Sequence, residues 1–248
     1  MRPLRRAKAR ATEAARRRGL ELRRVPHVFV DEPDAELKLE LDHLIAHRMT
    51  QGDGELFVVQ VGAFDGRTND PIHHWITRYG WRGVLVEPQA RYFAKLEETY
   101  ADFPKLSLRN AALAHERGRR PFYTVPADAP GVPEWVGQLA SFDRSTIVAH
   151  QHLVPNIEQL IRADDVDCVT FEDLLDGVER VDLLQVDAEG YDAEIIRMFD
   201  FGRWRPSIVH FESVHLSPED HDSVMRLLVS HGYRVATSGF DTLAYAAD

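Results

Sequence analysis

Short apolar runs alternate with segments of helical pattern along this chain, and this alternation leaves few fold classes open to it. Four runs rich in Val, Leu and Ile lie at residues 57–61, 83–86, 181–186 and 207–211. Runs that are apolar on successive residues are typical of strands covered on both faces, as in parallel sheets. Two closely spaced runs near the end, at 233–236 and 243–246, predict an antiparallel hairpin. We therefore predict an α/β fold, a mostly parallel sheet with helices on both faces and a C-terminal antiparallel hairpin.

The chain is predicted to form one domain preceded by a basic arm. With 248 residues, of which 44% are hydrophobic, it is long enough for a sizeable core. We assign residues 1–30 to the arm and 31–248 to the domain, with a loop-rich lid or insertion at about 126–164, where Pro and Gly interrupt the alternation. A helix is predicted over 34–49.

Charge is divided unevenly between these parts. The first 24 residues carry ten Lys or Arg and two Glu, a charge of +8, so the net charge of −10 leaves −18 for the remainder. Such an acidic body repels phosphate, so we expect no nucleic-acid partner. The arm is predicted to be a solvated leader, and the alternative is a helical arm that contacts an anionic membrane surface or RNA.

A cytoplasmic location is the expectation from the composition. No run of 18 apolar residues could span a membrane, and no apolar segment follows the first arginines as in a signal peptide. The single cysteine, Cys168, cannot close a disulfide within the chain, and it is predicted to be a buried small hydrophobe.

The residues that follow the predicted strands are the candidates for chemistry, because ligands bind at the carboxyl ends of parallel strands. These positions hold the glycine-bearing loop 62–66, Glu87, Asn110, Asp187 with Glu189, and Glu212. The loop lets the backbone pass close to a ligand. It lacks the Gly-Lys-Ser/Thr of a triphosphate-binding loop and the full dinucleotide fingerprint. Glu87 is placed to accept hydrogen bonds from a ribose diol.

These segments together resemble the FkbM family of S-adenosylmethionine-dependent methyltransferases over roughly residues 55–246. The resemblance implies a seven-stranded, Rossmann-like class I methyltransferase fold and methylation of hydroxyl groups, often on sugars or natural products. Gln60 stands where family members commonly have Asp, which weakens the case for a charged contact there to the cofactor's amino group. The cofactor-binding residues that the resemblance implies are Gln60, Gly62, Ala63, Gly66, Glu87, Pro88, Asn110, Ala111, Ser141 and Asp187.

Two acids and a histidine are predicted to activate the acceptor. Asp187 and Glu212 end neighbouring strands and form a predicted Mg²⁺ pair, similar to the site of catechol O-methyltransferase. Without a metal, the base is Asp187 or a histidine, with His215 the first choice. The other histidines near the predicted site are His150, His152 and His210, and Trp135 and Phe142 either stack on a sugar face or anchor the lid.

The function predicted from the sequence is O-methylation, enzyme class 2.1.1, of a small hydroxylated acceptor such as a glycoside or glycolipid. Two alternatives stay open: an NAD-linked oxidoreductase or epimerase, and a non-catalytic cofactor-binding module that acts through its basic arm. A homodimer is also left open.

Overall fold

The computed structural model describes residues 40–246 except 53, 127–128 and 130–131, and the structural statements below concern these residues. The basic arm and the first part of the helix predicted over 34–49 lie outside them. The described part of that helix, α1, runs from Leu41 to Thr50. No helix in the described residues is long and apolar enough to cross a membrane.

A seven-stranded sheet forms the centre of the molecule. Its strands are β1 (Phe57–Val61), β2 (Arg82–Val86), β3 (Leu106–Arg109), β8 (Leu183–Val186), β9 (Ile208–Glu212), β10 (Tyr233–Ser238) and β11 (Asp241–Ala246). Their order is β10-β11-β9-β8-β1-β2-β3, and only β11 pairs antiparallel to its two neighbours. The predicted mostly parallel sheet with a C-terminal antiparallel hairpin is therefore confirmed.

Helices cover both faces because alternate residues of each strand are apolar towards opposite sides. On β1, Val58 packs in one cluster with Ile45, Ile76 and Leu96. Its neighbour Val59 packs in a second cluster on the other face. The longer helices around the sheet are α2 (His73–Tyr79), α3 (Ala90–Thr99), α7 (Asp192–Met198) and α8 (Pro218–Ser230).

Local signals set several of these helix ends. Ser217, before Pro218, accepts a hydrogen bond from the Asp220 amide and caps α8. Gly80 ends α2 at φ 62°. Asp70 caps a bend instead of the first helical turn, because it accepts from the amides of Ile72 and His73 and the helix begins only at His73.

A second, four-stranded sheet lies outside the predicted architecture. Its strands are β4 (Ala112–Leu113), β5 (Gly118–Thr124), β6 (Ala140–Ser141) and β7 (Arg162–Val169), in the order β4-β7-β5-β6. Cys168 lies on β7 and is buried, as predicted. The remainder of β7 is mostly exposed and polar, so it lacks the apolar signal of the central strands.

The segment predicted as a lid or insertion contains short helices as well as loops. It holds β6, the helices α4 (Arg144–Val148) and α5 (Ile157–Leu160), and 3-10 turns at Glu134–Gln138 and Ala149–His152. One further short helix, α6 (Phe171–Leu174), follows β7. A small separate hydrophobic cluster lies in and beside this segment, formed by Val125, Val136, Leu139, Ile147, Val154 and Ile157. Its role as a lid stays a prediction.

Candidate functional site

A cavity of about 590 Å³ opens at the carboxyl ends of the central strands. The parallel register places Val61, Val86, Val186 and Phe211 level with one another, so the residues that follow them meet at one edge. Six carboxylates line the cavity, and no Lys, Arg or His is among its described lining residues. The six are Asp70, Glu87, Asp187, Glu189, Glu212 and Asp241. The wall of the cavity is therefore acidic, and a cationic ligand would favour the charged form of these carboxyl groups.

The glycine-bearing loop forms the floor of the cavity beside β1. Gly62 has φ +79°, and a Cβ built there would lie 1.7 Å from the carbonyl oxygen of Asp187. Gly66 has φ +70°, and its Cβ would lie 2.5 Å from the Tyr100 ring. Both glycines are thus required by neighbouring protein atoms, and the close approach of this loop to a ligand stays a prediction.

Glu87 directly follows β2, and its carboxylate links the glycine-bearing loop to the loop after β2. Its Oε2 accepts a hydrogen bond from the Phe64 amide at 3.0 Å, and its Oε1 accepts from the Gln89 amide at 2.7 Å. The side chain is buried, and burial raises the pKa of Glu87 to about 7, against the lowering by these amides and Arg91. Each oxygen keeps a second lone pair for a ligand hydroxyl.

The other predicted cofactor contacts divide into two groups. Gln60, Ala63, Pro88 and Ala111 line the cavity together with Gly62, Glu87 and Asp187. Gly66, Asn110 and Ser141 are not among the lining residues. Asn110 donates from Nδ2 to the carbonyls of Glu87 and Pro88, and Ser141 Oγ accepts from the Asp143 amide. These side chains hold the backbone around the cavity, and their direct contact with a cofactor stays a prediction.

The loop after β8 carries Asp187 and Glu189, which form an acidic wall of the cavity. Asp192, 1% exposed, accepts from the amides of Ala188 and Gly190 at 3.1 and 3.0 Å. Burial and the neighbouring Asp187 raise the pKa of Asp192 to about 8. Its carboxylate holds the turn in which Glu189 adopts φ 50°, an unusual conformation for a residue with a side chain.

Glu189, Glu212 and His215 come together at this wall. Their ligand atoms all lie within 4.8 Å of one another, and Asp187 is not a member of this group. Burial, followed by the charges of neighbouring acids, raises the pKa of Glu189 to about 8 and that of Glu212 to about 8. The predicted Mg²⁺ pair of Asp187 and Glu212 stays a prediction, and any metal here would find Glu189 and His215 beside Glu212.

The contacts of His215 suit it to receive a proton. Its Nε2 lies 3.6 Å from Oε2 of Glu212, an oxygen that is buried and has no hydrogen-bond partner in the described residues. Burial and the nearby His150 lower the pKa of His215, so its imidazole is neutral at neutral pH. Glu189 follows a predicted strand, but its sequence position alone predicts no role for it. The positive φ values of Glu189 and of the following Gly190 mark the sharp turn that brings it to this wall.

The remaining histidines and aromatic rings have separate places. His210 is buried behind the wall, its Nδ1 2.7 Å from Gln185 Oε1, and burial lowers its pKa to about 4. His150 lies between His215 and Trp135, with ring centroids 5.6 and 5.9 Å away. The exposed His152 contacts the Ala149 carbonyl.

The two aromatic candidates of the insertion differ in exposure and neighbours. Phe142 lines the cavity and packs edge-on against Phe122 and Tyr191. Trp135 is 37% exposed and ends the row of rings that leads outward from His215.

The strand order and the cavity at the ends of β1, β2 and β8 define a class I methyltransferase fold. The chain belongs to the FkbM methyltransferase family, because the model of the methyltransferase FkbM domain matches residues 60–235, more than half of its length. The resemblance seen in the sequence is thereby confirmed. None of the curated proteins compared with the chain matches it.

The chain is similar to several solved structures at low sequence identity. Precorrin-6y C5,15-methyltransferase from Geobacter metallireducens GS-15 is 14% identical over 88% of this chain and 93% of its own, with a TM-score of 0.40. The FkbM methyltransferase from Methylobacillus flagellatus KT is 13% identical over 77% of this chain and 43% of its own, with a TM-score of 0.48. Aeropyrum pernix fibrillarin, solved with natively bound S-adenosyl-L-methionine, is 14% identical over 78% and 66%, with a TM-score of 0.38. These likenesses are too distant to indicate a substrate.

Proposed function

We propose that this protein transfers a methyl group from S-adenosylmethionine to a hydroxyl group of a small, sugar-containing acceptor. The observation that carries the proposal is the cavity with six carboxylates and no described basic side chain. S-adenosylmethionine bears a sulfonium and an ammonium against one carboxylate, so its net charge is positive. A dinucleotide such as NAD would instead bring a diphosphate among these acids, which is electrostatically unfavourable.

The apolar walls of the cavity fit the remainder of such a donor. Ala111, Leu113, Phe122 and Phe142 line one side and offer a surface to a flat purine ring. Glu87 lies in the same cavity, where its carboxylate can accept hydrogen bonds from two ribose hydroxyls. Shape and charge therefore both support a cationic nucleoside as the ligand.

The acceptor is assigned to the side of the cavity that carries Glu212 and His215. When bound, S-adenosylmethionine supplies an electrophilic methyl group on a sulfonium. The neutral imidazole of His215 takes the proton of the acceptor hydroxyl as its oxygen bonds to the methyl carbon and the carbon–sulfur bond breaks. In its ionised form Glu212, whose Oε2 lies 3.6 Å from Nε2, stabilises the imidazolium that forms. The exposed ring of Trp135 suits stacking with the apolar face of a sugar.

The first test is a calorimetric titration with S-adenosylhomocysteine and, separately, with NAD. We expect S-adenosylhomocysteine to bind and NAD to show no heat of binding, because of the charge of the cavity. Binding of NAD alone would favour an oxidoreductase or epimerase, and binding of neither would favour a module that acts through its arm. Incubating the enzyme and donor with extracted glycolipids and small glycosides, and scanning by mass spectrometry for one added methylene, then tests the acceptor class.

Replacing Glu87 by alanine should weaken binding of S-adenosylhomocysteine about 10- to 150-fold at pH 8, where the carboxylate is ionised. Because the pKa of Glu87 is raised to about 7, the wild-type dissociation constant should also increase as the pH falls through that value. The dissociation constants of wild type and variant at several pH values provide the check. Glu97→Ala, on the exposed side of α3, serves as the control. An unchanged dissociation constant in a folded Glu87→Ala variant removes this residue from the site.

A further inference from the structure

We propose that Asp70, together with Gln60, binds the α-ammonium group of the methyl donor. This inference rests on the proposed function and assigns the charged contact that was not expected at Gln60. Gln60, near the end of β1, is uncharged. The carboxylate of Asp70, on the segment before α2, supplies the negative charge in its place.

Two unpartnered oxygen atoms in the cavity wall carry the inference. Gln60 is 4% exposed, and both its Oε1 and Oδ2 of Asp70 are buried without a hydrogen-bond partner in the described residues. Both residues line the cavity beside Gly62 and Ala63. Buried polar atoms of a folded protein are normally paired, so two orphaned atoms in one wall indicate a ligand that pairs them.

The backbone fixes the orientation of the Asp70 carboxylate. Its Oδ1 accepts hydrogen bonds from the amides of Ile72 at 2.8 Å and His73 at 3.1 Å. Those two bonds leave Oδ2 as the oxygen available to a ligand. Burial raises the pKa of Asp70, while the two amides and the neighbouring Gln60 side chain lower it, so a bound cation would complete the stabilisation of its charged form.

The chemistry of the two orphaned atoms selects the kind of group they bind. Both oxygens are hydrogen-bond acceptors and cannot bond to each other, so in the side-chain orientation seen here the donors for them come from a ligand. A primary ammonium has three N–H donors and a positive charge, and it can serve both oxygens at once. The methionine end of the donor carries this ammonium group, and the two acceptors belong to the same cavity lining as Gly62 and Ala63.

Asp70→Asn separates this role from a structural one. The amide oxygen of asparagine can still accept from Ile72 and His73, and its NH₂ can donate to Gln60 Oε1, so the variant should fold as stably as wild type. We expect its affinity for S-adenosylhomocysteine to fall about 10- to 150-fold, the effect of a lost charge-assisted hydrogen bond. Its affinity for 5′-methylthioadenosine, which lacks the amino-acid end, should change by less than about twofold.

Asp200→Asn is the matched control. Asp200 is exposed and lies outside the described lining residues, and its Oδ1 accepts from the amides of Gly202 and Arg203, as Oδ1 of Asp70 accepts from two amides. This variant should bind both nucleosides like wild type.

Each outcome of the calorimetry has a defined meaning. Equal losses for both nucleosides in Asp70→Asn would show that Asp70 supports the loop only, and no loss for either would show that it does not contact the donor. Either result overturns the inference and leaves the proposed function standing. If wild type binds neither nucleoside, the proposed function fails, and the inference fails with it.

Discussion

Replacing His215 by alanine is expected to lower kcat by about 10²- to 10⁴-fold, the usual range for loss of a general base. Its Nε2 lies 3.6 Å from Oε2 of Glu212, a lining residue on the side of the cavity to which we assign the acceptor, and we propose that it removes the hydroxyl proton there. Because His215 is not among the residues that line the donor cavity, the dissociation constant of S-adenosylhomocysteine should change by less than about twofold. Initial rates at saturating substrates, compared with calorimetric affinities, make this test.

His115 offers a matched control for that variant. Its Nε2 lies 3.5 Å from Glu194, which resembles the His215–Glu212 pair, but His115 does not line the cavity. His115→Ala should therefore keep wild-type kcat. If His215→Ala also keeps it, His215 is not the base. Loss of turnover in EDTA, with restoration by added Mg²⁺, would instead assign activation of the hydroxyl to a metal ion, as predicted from the sequence for Asp187 and Glu212.

Gly62→Ala is expected to abolish binding of S-adenosylhomocysteine and to destabilise the fold by about 3 kcal/mol or more. The added Cβ would lie 1.7 Å from the Asp187 carbonyl oxygen, so β1 and β8 would have to separate at the floor of the cavity. The left-handed φ of +79° adds a smaller penalty of about 1–2 kcal/mol.

A second glycine separates these two effects. Gly177 has φ +73°, but its Cβ would have no atom within 4 Å. Gly177→Ala should therefore show only the conformational penalty and bind S-adenosylhomocysteine normally. Thermal unfolding and calorimetry of both variants make the comparison, and equal melting temperatures for the two would mean that the contact with Asp187 is not what requires glycine at position 62.

The central sheet could be predicted because its strands are buried on both faces and therefore read as continuous apolar runs. β7 could not, since it contains Asp164, Asp165 and Asp167, is mostly exposed, and gains its place by pairing with β5. Sequence patterns report burial, and strands stabilised mainly by backbone pairing at the surface give little such signal.

The candidate site, likewise, could be predicted only where its residues follow buried strands. Glu87, Asp187 and Glu212 follow apolar strands, and the register of those strands brings them to one edge. The approach of Glu189 and His215 to Glu212 depends on a left-handed turn and on the path of the loop after β9, which single-sequence patterns do not determine. For Asp70, which lies outside the strand ends, only the structure shows that its second oxygen is buried and unpaired.

The separate cluster around Ile147 and Ile157 bears on how a family of this kind can diversify. That cluster is distinct from the two that pack on the sheet, while the same insertion contributes Trp135, His150 and Phe142 to the surroundings of the site. Substitutions at distant positions without shared partners have nearly additive effects on stability. Residues of the insertion outside the donor cavity, such as Trp135, can therefore be exchanged, by natural drift or by an engineer seeking a new acceptor, without rebuilding the floor on which the donor rests.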